Sequence, residues 1–268
     1  RSSLQMCISC HWRMKSGNEL LMLDTMTLKD RNRAGVSLVE YAEFHFATRQ
    51  FTKAMDEFKA VIEENIQAKK IDILAVTKSL TSIAVIYARV KVEPKEAANY
   101  FAKVAEAKAL PTYLRADLKA WSQSFSNWQV DGDVEKLSQS DLLKHAKALL
   151  KREDFSLVNA SERKFHIERL HATALLHRLL DMPEKTKEKG EALYLLGMIY
   201  NRINHNLFFH FDEMYLKACI YEFPKTEIAQ KCYSALERIE LDGFTGSAGT
   251  NLPDEVEVEL FKLKRIAH

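Results

Sequence analysis

Leu196-Gly197-Met198-Ile199-Tyr200 lies inside an unbroken helical period that runs from Lys187 to Ile203. Reading outward, a partner helix follows from Phe211 to Glu222, carrying Tyr215 and Ala218 and ending at Phe223-Pro224. Thr226 then starts another helix through Ala229, Tyr233 and Leu236 to about Leu241. The join between the first two, Asn204 to His210, is long and aromatic. The same design recurs towards the N-terminus. Val36 to Gln50 places Leu38, Tyr41, Ala42, His45 and Phe46 on one stripe, and Phe51 to about Lys69 presents Ala54, Phe58, Val61 and Ile62. The small residues Ala42 and Ala54 fall where two antiparallel helices must approach closely, with Phe51 and Phe58 filling the groove. Ile71 to Arg89 and Lys95 to Ala109 repeat the arrangement with Ala84, Tyr87, Ala97 and Phe101, and Pro111 is read as the stop.

The paired helices, the small residues at matching offsets and the L-G-x-x-Y core at Leu196–Tyr200 resemble the tetratricopeptide repeat, a 34-residue helix–turn–helix unit. The resemblance implies an all-α fold, an α-solenoid of antiparallel helix pairs with a concave, protein-binding surface. The join at Asn204–His210 departs from the short turn of that family. Four regions are expected: an N-terminal segment over 1–34, helical repeats over 35–130 and again over 138–241, and a closing stretch over 242–268. Asp131 to Asp133 and the polar run Ser138-Gln139-Ser140-Asp141 mark the break between the repeat regions. Ser140 or Asp141 is read as the N-cap of a helix from Leu142 to Lys151, and a long helix from about Ser161 to Leu180 follows. Asp242 to Leu252, rich in Gly, Ser and Thr, is expected to be an irregular strap. It leads into a short helix from Pro253 or Asp254 to Ile266, acidic early and basic late as the helix dipole prefers.

Composition agrees with long helices, since 268 residues contain only five prolines and eight glycines. A formal net charge of +2 gives no bulk electrostatic reason to bind nucleic acid or a membrane surface. No unbroken apolar run reaches the roughly 18 residues of a membrane span. The chain starts at Arg1 rather than Met, as a mature or trimmed form would.

The chemistry is concentrated in Cys7-Ile8-Ser9-Cys10-His11. In C-x-x-C-H spacing, two thiols can add across the two vinyl groups of a porphyrin while the next residue turns its imidazole onto the iron. With four cysteines and nine histidines, chance would place this motif in about one such sequence in a thousand. The five residues resemble the haem-attachment site of c-type cytochromes. That resemblance implies one covalent haem c, with Cys7 and Cys10 as thioether sites and His11 as proximal iron ligand. It also implies a periplasmic or otherwise exported protein. Two other readings stand beside it. C-x-x-C is half of a tetrahedral zinc site, although no second Cys/His pair follows to complete one. It is also the form of a redox or disulfide pair, although the α/β setting of a thioredoxin-like motif is missing.

A low-spin electron-transfer haem takes Met or a second His on the distal side. Met22 and Met26, one turn apart on an expected helix from Asn18 to Lys29, and His45 on the first repeat helix are the candidates. Core packing is the competing reading for each. Met14 is too near His11 to cross to the opposite face. His166 and His177 share a helix face but stand three turns apart, too far to hold one ion, and His171 points elsewhere. His205 and His210 flank the aromatic loop and read as structural. Cys219 and Cys232 fall on neighbouring helices, as core thiols or as a disulfide in an oxidising compartment.

No G-x-S-x-G, H-E-x-x-H, P-loop or glycine-rich dinucleotide turn is present, so the chain reads as an electron carrier or scaffold rather than an enzyme. The expected function is that of a mono-haem c-type cytochrome subunit, docked to a redox partner or larger redox assembly through the solenoid groove. The alternative is a non-redox scaffold whose Cys7/Cys10 site is a disulfide or holds zinc.

Overall fold

The structure, a computed structural model, describes residues 37–128, 136–151, 163–203, 211–247 and 249–268. The described residues are all-α apart from one two-stranded ribbon. Contacts divide the chain into two compact units, with the boundary between Trp128 and Gln129.

In the first unit, α1 (Leu38–Ala47) starts on a capping box: Ser37 accepts from the Glu40 amide, and the Glu40 carboxylate accepts from the Ser37 amide. The Ser37 hydroxyl, which also donates to that carboxylate at 2.7 Å, and then the Ser37 amide hold the Glu40 carboxyl below its usual range. α2 (Phe51–Gln67) folds back against α1, with Ala42 and Ala54 fully buried where the two helices meet. Phe46 bridges to Phe51 and Phe58, at ring separations of 5.7 and 6.2 Å. α3 (Ile73–Val85), capped by the Asp72 carboxylate, packs on α2 and continues into a π-helical turn over Ile86–Lys91. The turn is released by Val92, whose φ of 52° is left-handed, a strained conformation for a β-branched residue.

α3 and its π turn supply a run of ten buried residues, Ser79 to Ala88. A helix buried on every side reads as continuously apolar. By length and composition Ile73–Lys91 could cross a membrane, yet most of it is buried inside the unit, as in the core helix of a folded domain.

α4 (Pro94–Ala105) has proline at its first position, and α5 (Thr112–Ser126) is the helix it packs against most closely. α5 was not expected. Pro111, read from sequence as a stop, stands immediately before Thr112 with extended backbone, φ −56° and ψ 147°, and so begins a helix as well as ending a loop. Leu114, Leu118, Trp121 and Phe125 form the buried stripe of α5, and Phe101 of α4 lies edge-on to Trp121 and stacked on Phe125.

In the second unit, α6 (Gln139–Leu149) is capped by Ser138, two or three residues earlier than expected, because the Ser138 hydroxyl accepts from the Asp141 amide. A 3₁₀ turn at Arg163–Phe165 leads into α7 (His166–Asp181). α8 (Lys187–Arg202), α9 (Phe211–Glu222) and α10 (Glu227–Gly243) follow, the last capped by Thr226. The ribbon Thr245–Gly246 (β1) and Gly249–Thr250 (β2) occupies the stretch expected to be an irregular strap. α11 (Asp254–Ala267) closes the unit.

Three hairpins result, α6–α7, α8–α9 and α10–α11. The first helices α6, α8 and α10 touch in sequence, and the second helices α9 and α11 touch each other. Gly197 is a point of close approach within the middle hairpin, where a Cβ would lie 2.6 Å from Leu216 Cγ and 3.2 Å from the Asp212 carbonyl oxygen. Leu193, Met198, Leu216, Ile220, Ala229, Leu236, Leu260 and Leu263 form the core between these helices.

Candidate functional site

Cys7, Cys10, His11, Met22 and Met26 lie outside the described residues, as do Met14, His205 and His210. Apart from His45, the sequence places the candidate haem-binding residues within the first 34 positions, and the described structure begins just after these.

His45 is the one candidate ligand within the described residues. α1 turns it inward, against the Tyr41 ring at 4.5 Å and the Phe44 ring at 5.5 Å, and leaves it 2% exposed. Its Nδ1 is 2.7 Å from Glu57 Oε2 on α2, so the pair ties the two helices of the hairpin together. A histidine whose Nδ1 is held by a carboxylate has its tautomer and ring orientation fixed, which is how metal-ligating histidines are prepared. The donor chemistry of His45 therefore suits an axial ligand through Nε2. Its burial suits a packed core side chain, and contact with an iron would require the ring to leave this packing. Among the described residues, no group of three or more His, Cys, Asp or Glu is placed to hold a metal ion.

Two other described histidines have structural environments. His166 is buried at the start of α7, where burial and then the charge of Arg169 hold its imidazole down to about 3. His177 meets the Tyr200 hydroxyl at 2.8 Å and the Tyr215 ring at 5.6 Å, while Tyr200 stacks on Tyr215. This aromatic group buttresses α7, α8 and α9 against one another.

The four-cysteine inventory is resolved at its second pair. Cys219 on α9 and Cys232 on α10 form a disulfide with a Cα–Cα distance of 6.3 Å, and both residues are fully buried. Sequence left this pair open, because two residues on adjacent helices are bridged only if their Cβ vectors converge.

Two polar–aromatic groups were not foreseen from sequence. In the first unit Lys59 lies over the Tyr100 ring at 5.1 Å and the Tyr87 ring at 5.6 Å, and Tyr87 donates to Glu96 at 2.8 Å. Burial, followed by that bond, pushes the Tyr87 phenol well above its usual range, and burial does the same to Tyr100. In the second unit Lys231 of α10 sits 4.3 Å over the Tyr194 ring of α8, so the adjacent first helices are joined by a cation–π contact. Burial raises the Tyr194 phenol against the opposing charges of Arg238 and Arg202. The partners in both groups lie on different helices, so neither group has a local spacing by which it could be read.

None of the described residues forms a catalytic constellation of nucleophile, base and orienting group. Comparison with protein-family models, with curated proteins and with solved structures finds no match.

Proposed function

We propose that this chain is an exported, haem-bearing electron-transfer subunit that docks onto a protein redox partner or a larger redox assembly through its tetratricopeptide-like helical hairpins. Haem c would be held covalently by Cys7 and Cys10, with His11 as proximal iron ligand. One-electron exchange at the iron is the chemistry such a group supplies when bound. His45, Met22 or Met26 would complete the coordination.

The C-x-x-C-H spacing at Cys7–His11 carries the proposal. The Cys219–Cys232 disulfide supports the location, since such bonds persist in oxidising compartments and c-type haem is attached outside the reducing cytoplasm. All four cysteines then belong to chemistry of one compartment.

A pyridine haemochrome spectrum of the denatured protein should show a covalent c-type band. The double variant Cys7→Ser/Cys10→Ser should lose haem staining on a denaturing gel, and persistence of the stain would exclude this attachment. Purification from the native source should recover a stoichiometric complex; recovery only as a monomer rapidly reduced by a soluble donor would indicate a free shuttle.

The second reading is a non-redox scaffold with a zinc or disulfide site at Cys7/Cys10. The consecutive α6–α7, α8–α9 and α10–α11 hairpins favour it, because such stacks serve mainly as platforms for other proteins. Stoichiometric zinc without a haemochrome band would select it.

A further inference from the structure

We infer that Cys219 and Cys232 are joined before the C-terminal helices close over them, and that the finished bond is a fixed cross-link rather than a reversible switch. The inference stands apart from the haem reading and rests on where the two sulfurs lie. Cys219 is on the second helix of the α8–α9 hairpin and Cys232 on the first helix of the next, joined by the tight connection Phe223–Thr226.

Both cysteines are fully buried in the core formed by Leu193, Met198, Leu216, Ile220, Ala229 and Leu236. α11 covers the same core with Leu260, Leu263 and Ala267, and the Lys225 amide in the α9–α10 connection donates to the Ile266 carbonyl at 3.1 Å.

Thiol–disulfide exchange needs a thiolate to reach a sulfur and attack it along the S–S axis. No external thiolate can do so with the core closed, and by the same argument no external disulfide can reach the buried thiols of a folded, reduced chain. A protein disulfide or oxidised glutathione must therefore act on the open chain. One chain thiolate attacks the external disulfide and releases its first thiol. The second chain thiolate then displaces the other half. The chain loses two protons and two electrons as its S–S bond forms, and the external disulfide is reduced to two thiols.

The full chain tests this in two arms, read by alkylation and mass spectrometry of the peptides containing Cys219 and Cys232. In native buffer with millimolar dithiothreitol, reduction should be at least about 100-fold slower than in denaturing urea, because it must wait for the core to open. In the second arm the reduced, denatured chain is diluted into native buffer, and oxidised glutathione is added either before or after dilution. Addition before dilution should give the bond in full. Addition afterwards should leave a folded chain with both thiols still alkylatable once it is denatured. A reduced chain that fails to fold would equally place oxidation first. Native reduction at the rate seen in urea, or prompt oxidation of a chain already folded in the reduced state, would overturn the inference.

Discussion

Gly197→Ala puts a close helix approach in the second unit to a direct test. On a solvent-exposed helix face, alanine in place of an interior glycine stabilises by about 1 kcal/mol. Here the added Cβ would lie 2.6 Å from Leu216 Cγ, 2.8 Å from Leu216 Cδ2 and 3.2 Å from the Asp212 carbonyl oxygen. An unstrained carbon–carbon contact needs about 3.5 Å or more, so Leu216 would have to retreat by roughly 1 Å. Leu216 is fully buried, and Cys219 one turn later is cross-linked to α10, so α9 has little freedom to give way. Overpacking of this kind costs about 1–3 kcal/mol, which offsets or exceeds the gain in helix propensity and leaves a net loss of up to about 2 kcal/mol. With a urea m-value of about 2 kcal/mol/M, the midpoint followed by far-ultraviolet circular dichroism should fall by up to about 1 M. Gly243→Ala is the control, since nothing lies within 4 Å of a Cβ there, and its midpoint should hold or rise slightly. In Gly197→Ala/Leu216→Ala the new methyl should recover part of the cavity cost, making the double variant more stable than the sum of the two single losses. A midpoint for Gly197→Ala above that of the parent chain would refute the reasoning, because it would show that α8 and α9 are not in contact at this point.

Val92→Asn should stabilise the first unit by up to about 1 kcal/mol, since asparagine tolerates the left-handed backbone that valine resists; an unchanged or lower urea midpoint would show that Val92 is not strained. His166 has a folded-state value of about 3, below its ordinary unfolded value, so the unfolded chain takes up the proton first. Its contribution is therefore fully present above about pH 6.5 and is lost as pH falls towards 3, at up to about 1.4 kcal/mol per pH unit. Urea midpoints at several pH values should fall less steeply on the acid side in His166→Gln, and parallel slopes would count against the burial of this ring. Cys219→Ser/Cys232→Ser should cost about 3 kcal/mol for a closed loop of this size, read as a lower melting temperature; a loss well under 1 kcal/mol would mean that the bridge constrains little.

Elements defined by local pattern could be read from the chain. The helix around Leu196–Tyr200, the partner from Phe211 to Glu222 and the Thr226 cap follow from apolar period and turn chemistry, and each is found within a residue or two. Ala42 and Ala54 were legible because small residues at matching offsets report close helix approach directly. α5 was missed although Leu114, Leu118, Trp121 and Phe125 carry a helical spacing, because Pro111 signals an end and a beginning equally well. The π turn had no sequence signal: with Ser79 to Ala88 all buried, no polar face remains to mark a change of period. The haem motif is contiguous in sequence and needs no fold to be recognised. A distal ligand, the Cys219–Cys232 bond and the Lys231–Tyr194 contact depend on which helices become neighbours, and spacing along one chain does not contain that information.

Lys78 lies within the apolar stretch Ile73–Lys91 and in the folded unit holds Glu43 of α1 at 2.8 Å. Before folding, the same charge has another consequence. If exported as proposed, the chain would cross a bilayer in extended form and present this stretch to lipid as a stop-transfer segment. One lysine at the centre of such a helix opposes lateral release into the membrane by about 2.5–3.5 kcal/mol, and Lys78, five residues in from Ile73, opposes it by less. Exchange of Lys78 for leucine would cost the folded unit one partly exposed ion pair, yet would lower the barrier to the segment lodging in a membrane that the chain had to cross.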